Sequence, residues 1–132
     1  MNAGFDFVPL LAVAAGCAIG AVARFEISRR IVERSGDAFP WATLTVNLSG
    51  CLLAGILLAM LDSAQVSVWG LLLTVGLLGG YTTVSSFSLE TLLLFQRGHS
   101  TGALAYIAAS MFGCIIAAAS GFGLALFATG AR

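Results

Sequence analysis

Between residues 76 and 90 the chain reads Gly76-Leu77-Leu78-Gly79-Gly80-Tyr81-Thr82-Thr83-Val84-Ser85-Ser86-Phe87-Ser88-Leu89-Glu90, a cluster of glycines and hydroxyls inside a hydrophobic run from about Val66 to Phe95. One straight bilayer crossing takes about 20 residues, so this run is too long for a single uninterrupted helix. The glycines and the Thr82-Thr83 pair predict a helix broken near residues 79–83. Lipid cannot satisfy the backbone groups that a break frees. Such a break is tolerated only where it is buried in protein, binds an ion or lines a polar path. The pattern points to an ion pathway.

Composition agrees with a membrane protein. Of the 132 residues, 59% are hydrophobic and 9% charged, whereas about a quarter of a soluble domain is charged. The six basic residues are all arginine and are matched by six acidic ones. With zero net charge the chain lacks the basic footprint of a nucleic-acid binder. The length suits one small membrane domain, residues 1–132, without a separate soluble domain. The N-terminus has no basic region of the signal-peptide kind, so the first apolar run is expected to be retained as a helix. Cys17, Cys51 and Cys114 lie in apolar runs far from the single His99, which is not a metal-site pattern. They read as small packing residues. The expected setting is a multi-pass protein of the plasma membrane or cell inner membrane, with lipid around it.

The expected fold is an all-α membrane protein of four crossings, at 7–34 with a surface extension, 41–61, 66–95 and 101–129. Short connections make neighbouring helices antiparallel. In the extension, Glu26 with Arg30 and Arg29 with Glu33 stand four apart, the spacing of ion pairs on an exposed helical turn. Arg24, the deepest of these charges, is a candidate for a water-filled vestibule. Gly16 with Gly20, and Gly76 with Gly80, have the spacing that lets membrane helices approach closely. Ser49, Gly50, Ala54 and Gly55 add a small face on the second crossing.

Asn47 lies about two turns into the second crossing, flanked by Thr45 and Ser49. An amide at that depth either bonds between helices or lines a cavity. The hydroxyls of residues 82–86, at similar depth, favour the cavity. Tyr106 alone reads as an interfacial anchor. With Ser110 four residues on, it becomes the start of a polar stripe. No charged residue sits at the centre of any crossing, and Glu90 lies one or two turns beyond the expected break. No nucleophile has a base nearby, and there is no phosphate loop, so an enzyme has nothing to stand on.

Three of these segments resemble the CrcB, or Fluc, fluoride-channel family. Gly16-Cys17-Ala18-Ile19-Gly20-Ala21-Val22-Ala23-Arg24-Phe25 resembles its glycine-rich segment ending in Arg-Tyr. The second segment, Pro40-Trp41-Ala42-Thr43-Leu44-Thr45-Val46-Asn47-Leu48-Ser49-Gly50, is similar to its Gly-Thr-Leu-x-x-Asn-x-x-Gly signature, with Ala42 replacing the first Gly. The run from Gly79 to Glu90 is similar to Gly-x-Thr-Thr-Phe-Ser-Thr-Phe-x-x-Glu. The resemblance covers essentially the whole chain. It implies an antiparallel, dual-topology homodimer with two fluoride pores along its interface, exporting fluoride passively and lowering its toxicity. It also implies a structural sodium ion at the centre, held by the Gly79 and Thr82 carbonyls of both subunits. Pore positions fall on Asn47, Val84, Ser85, Ser86, Phe87, Tyr106 and Ser110, and vestibule positions on Arg24, Thr43 and Glu90.

Val84 departs from the pattern, because the family has Phe there. An aromatic edge is electropositive and faces an anion favourably, and valine has no such edge. The arginines also cluster. Arg24, Arg29, Arg30, Arg34 and Arg97 fall on one side and Arg132 on the other. A chain inserting equally both ways shows little such bias. Both features keep open a heterodimer with an oppositely biased sister subunit. A small dual-topology multidrug antiporter is the rival from another class. It needs a deep carboxylate in its first helix, and none lies between Asp6 and Glu26. An accessory subunit that only packs against partners leaves the Asn47 and threonine cluster without purpose.

Overall fold

The computed structural model describes residues 7–61 and 67–130. Asp6, Val66 and Arg132, which entered the boundaries and charge comparisons above, lie outside them. The described residues are helical apart from short connections and the pair Thr82 and Thr83. Helix α1 (Phe7–Ser35) carries Pro9 in its first turn, where a missing N–H costs no helical bond. It stops at Gly36, whose φ of 72° is left-handed and whose N–H bonds the Val32 carbonyl at 2.8 Å. Helix α2 (Trp41–Met60) starts directly after Pro40. The third crossing is composite. Helix α3 (Val68–Leu71), capped by Ser67 Oγ accepting from the Gly70 N–H, runs into a π-helical stretch, Leu72–Leu78. A short α4 (Gly79–Tyr81) follows, and after Thr82 and Thr83 comes α5 (Val84–Gln96). Gly98, at φ 78°, turns the chain into α6 (Ser100–Thr129).

Four stretches are long and apolar enough to cross a membrane: Phe7–Ser35, Trp41–Met60, Val68–Gln96 and Ser100–Thr129. Large apolar side chains such as Leu11, Phe112, Ile116 and Phe127 point outward. That arrangement suits a hydrocarbon solvent and no aqueous one.

Glycine contacts fix the two helix pairs that make the bundle. Gly16 and Gly20 of α1 meet the backbone of residues 72–81, and Gly76 and Gly80 answer from the other side. A Cβ on Gly76 would lie 2.7 Å from the Val13 carbonyl oxygen, and one on Gly80 would lie 2.8 Å from Cys17 Cα. The second pair is α2 with α6. A Cβ on Gly55 would lie 2.9 Å from the Ala118 carbonyl carbon, and one on Gly121 would lie 3.0 Å from that of Leu52. Backbones this close leave no room for any side chain, so dispersion contacts between main chains hold the pairs. Helix α5 rests on α6, and α1 touches neither. Helix α2 touches both halves of the third crossing and so spans the junction between them.

The extension of α1 carries its ion pairs as spaced. Arg29 meets Glu26 at 2.8 Å and Glu33 at 2.5 Å, and Arg30 meets Glu26 at 2.7 Å. All are exposed, where water and salt screen such pairs and leave them little net effect on stability.

Candidate functional site

The junction between α4 and α5 consists of two extended residues, Thr82 (φ −78°, ψ 157°) and Thr83 (φ −149°, ψ 120°). Gly79 and Gly80 beside them are ordinary helical residues, so the glycines serve close packing and the threonines make the turn. Backbone groups freed here find side-chain partners on α2. The Thr83 N–H donates to Asn47 Oδ1 at 2.8 Å, and Asn47 Nδ2 donates to the Thr83 carbonyl at 2.9 Å. The amide thus spends its oxygen and one N–H on a single residue, leaving its second N–H. Thr83 caps α5, its Oγ1 accepting from the Ser86 N–H at 3.2 Å and bonding Ser86 Oγ at 3.1 Å. Ser85 Oγ stands 3.2 Å from the same hydroxyl. One turn along α2 from Asn47, Gly50 lies so close to Thr82 that a Cβ would strike its methyl group. Ser49 Oγ donates its proton to the Thr45 carbonyl at 2.8 Å, so the Tyr81 hydroxyl, 2.8 Å away, is the donor in their bond.

A second polar group lies toward the arginine-rich end. Glu90 accepts from Thr43 Oγ1 through one carboxylate oxygen and from the Tyr106 hydroxyl through the other, each at 2.7 Å. Bonds to a charged acceptor are worth about 1.5–3 kcal/mol each, so this carboxylate ties α2, α5 and α6 together. The Tyr106 ring stands 5.2 Å from Phe87 and meets Phe39 edge-on at 5.7 Å. Tyr106 is 0% exposed. That overturns its reading as an interfacial anchor, because an anchor keeps its hydroxyl in water. Ser110, one turn further along α6, is 8% exposed, and its Oγ has no hydrogen-bond partner among the described residues. A hydroxyl buried without a partner costs about 1–3 kcal/mol. A small cavity of about 210 Å³ opens beside Glu90, lined also by Asp37, Phe39 and Arg97.

The structure therefore brings most of the sequence-predicted residues into two groups: Asn47, Thr82, Ser85 and Ser86 at the junction, and Thr43, Phe87, Glu90, Tyr106 and Ser110 beside α6. Val84 is 77% exposed and points away from its own chain. Gly79 and Thr82 line an open groove of about 1100 Å³ together with Gly50, Cys51, Thr74 and Phe122. Among the described residues nothing beyond its own helix and chain neighbours lies within 4 Å of a Cβ built on Gly79. Arg24 is half-buried on α1 and bonds none of these residues. Sequence reasoning missed Thr83 and the Ser49–Tyr81 pair. A threonine three residues before Ser86, at the head of an apolar run, is an N-cap signal that marks Thr83. No local signal marks the Ser49–Tyr81 pair.

Four apolar crossings with hydrogen-bonded hydroxyls and one carboxylate between them define a small polytopic membrane protein. Among the described residues no group of His, Cys, Asp or Glu is arranged to hold a metal ion. The chain belongs to the family described as CrcB-like protein, Camphor Resistance (CrcB), which matches residues 11–122. It is similar to a fluoride-specific ion channel FluC of Xanthomonas euvesicatoria pv. vesicatoria, 41% identical over 134 residues, covering 100% of this chain and 94% of the relative. A FluC of Sphingopyxis alaskensis is 43% identical over 114 residues, covering 85% and 90%. A FluC 2 of Bradyrhizobium diazoefficiens is 41% identical over 133 residues, covering 95% and 96%.

Proposed function

We propose that this chain is a passive, fluoride-selective channel that exports fluoride from the cytoplasm across the plasma membrane, working as an antiparallel dimer with two pores along its interface. The relatives' names give the ion, and the observation that carries the reading is Ser110. An unpartnered buried hydroxyl one helical turn from Tyr106 is a donor with no acceptor among the described residues. Fluoride is small and strongly hydrated, so a path must replace its water with donors. The second N–H of Asn47, the hydroxyls of Ser85, Ser86 and Ser110, and the ring edge of Phe87 are donors of that kind. None is a fixed cation, so the ion is bound without being trapped. Thr43, Glu90 and Arg24 would line the vestibules, with Glu90 anchoring the Tyr106 hydroxyl. An inside-negative potential drives the anion out, worth about 2.3 kcal/mol per charge per 100 mV.

The dimer reading rests on the open groove. Among the described residues no close contact requires Gly79 to be glycine, and the exposed Val84 lies on the same crossing. A close approach by a second, inverted copy accounts for both. The Gly79 and Thr82 carbonyls accept no hydrogen bond among the described residues, and the groove gives access to them. These are hard oxygen donors that fit a sodium ion, as unwound membrane backbone does elsewhere. When bound, the ion would neutralise carbonyl dipoles converging from the two subunits and so fasten the dimer.

Val84 and the arginines at one end favour a second reading, in which this chain is half of a heterodimer and a sister subunit supplies the missing ring. Fluoride efflux from liposomes holding only this protein tests both. Selective, proton-independent efflux is expected of the homodimer. Efflux that needs an added sister chain selects the heterodimer, and fluoride flux that follows a proton gradient would reject a passive channel.

A further inference from the structure

In an α-helix each carbonyl accepts from the N–H four residues on. The Gly79 carbonyl would accept from Thr83, and the Thr82 carbonyl from Ser86. Both N–H groups are diverted here. The Thr83 N–H goes to Asn47 Oδ1 at 2.8 Å, and the Ser86 N–H goes to Thr83 Oγ1 at 3.2 Å. The neighbouring Leu78 carbonyl makes the contrast, since it takes both the Thr82 N–H and the Thr82 hydroxyl, each at 2.9 Å. The N–H groups due to these two carbonyls are thus held by two specific side chains, whereas the Leu78 carbonyl, one residue before Gly79, is doubly filled.

We infer that Asn47 and Thr83 are positioning residues that hold the Gly79 and Thr82 carbonyls open for a cation by capturing the N–H groups that would otherwise close them. The inference rests on the sodium reading given above. It gives Asn47 a task besides any contact with the anion. Its Oδ1 takes the Thr83 N–H and its Nδ2 takes the Thr83 carbonyl, so the peptide groups on both sides of Thr83 stay out of the helical ladder. With leucine at 47 nothing competes for the Thr83 N–H, and the cheapest partner is the Gly79 carbonyl itself. Thr83 does the same one step later through its cap. Because Thr83 is 7% exposed and its hydroxyl is engaged with Ser86, water is a poor substitute for either bond.

The test is the sodium retained by the purified dimer after desalting into sodium-free buffer, measured by elemental analysis, together with the melting temperature of the dimer. The wild type is compared with Asn47→Leu, Thr83→Val and Thr83→Ser, all prepared in sodium. The wild type is expected to retain sodium. Asn47→Leu and Thr83→Val are expected to lose it and to melt at lower temperature, while Thr83→Ser, which restores the cap hydroxyl, recovers both. Dimers of Asn47→Leu and Thr83→Val that hold as much sodium as the wild type would overturn the inference and leave the cation site standing. A wild-type dimer that conducts fluoride and retains no sodium would instead remove the cation site, and the inference with it. If Asn47→Leu yields no dimer, the Thr83→Val and Thr83→Ser pair decides alone: loss with valine and recovery with serine supports the inference, and equal retention overturns it.

Discussion

The third crossing is held in two different ways on either side of Thr82 and Thr83. Before them, residues 72–81 lie against α1 by bare backbone, glycine to glycine. After them, α5 makes no contact with α1 and is joined to α2 and α6 by Glu90, which takes one hydroxyl from each. The first half depends on the absence of side chains and the second on particular oxygen atoms. Close backbone packing has no tolerance for added atoms but is indifferent to chemistry. Hydrogen bonds to a carboxylate tolerate small shifts but require the right donor. The first half of the crossing uses the first device, and the second half uses the other.

Predictions that separate the two devices run from the most to the least damaging. Gly80→Val should have the largest effect, because even its Cβ would lie 2.8 Å from Cys17 Cα and 2.9 Å from the Cys17 carbonyl carbon. Overpacking costs about 1–3 kcal/mol where side chains can give way, and backbone cannot. The expected outcome is no monodisperse protein on gel filtration, and a well-behaved protein would show that α1 can move away freely. Next comes Phe87→Ile, which leaves folding intact but removes the ring edge beside Tyr106. Fluoride efflux from liposomes should fall by about tenfold, on the order of 1.4 kcal/mol in barrier, whereas Val84→Phe should preserve or raise it. Equal efflux from all three proteins would make ring edges dispensable.

Tyr106→Phe should cost about 1.5–3 kcal/mol of stability, the value of a hydrogen bond to a charged group, read as a lower midpoint of thermal unfolding in detergent. An unchanged midpoint would mean that Glu90 does not tie α6 to α5. The mildest change is Gly79→Ala. Among the described residues nothing beyond its own helix and chain neighbours lies within 4 Å of the new methyl group, so folding of the single chain should be unaffected within about 0.5 kcal/mol. The dimer should nevertheless dissociate at higher protein concentration than the wild type, as measured by single-molecule photobleaching across a dilution series in lipid. Unchanged association would place the partner's contact elsewhere than the groove.

The number of apolar crossings was legible in the sequence because hydropathy is a property of each segment alone. The GxxxG pairs were legible too, since a glycine at helical spacing in lipid has little use except close approach. The resemblance located Asn47, Glu90, Tyr106 and Ser110 without saying what each would touch. Asn47 was weighed between a bond and a cavity. The structure gives it two bonds to Thr83 and leaves one N–H over. The π-helical stretch over 72–78 had no counterpart in the reading, because its residues have no composition that distinguishes it from an α-helix.

What the sequence by itself determined is therefore local: apolar length, small-residue spacing, the scarcity of charge, and a threonine pair where a helix does not continue. Only the tertiary structure decided which oxygen meets which hydrogen. Asn47 and Thr83 are 36 positions apart, Thr43 and Glu90 are 47 apart, and Tyr106 and Glu90 are 16 apart across a turn between helices. Such pairs depend on how two glycine-faced helices rotate against each other. That rotation is set by the whole bundle at once, because in lipid no freed backbone group has water to fall back on.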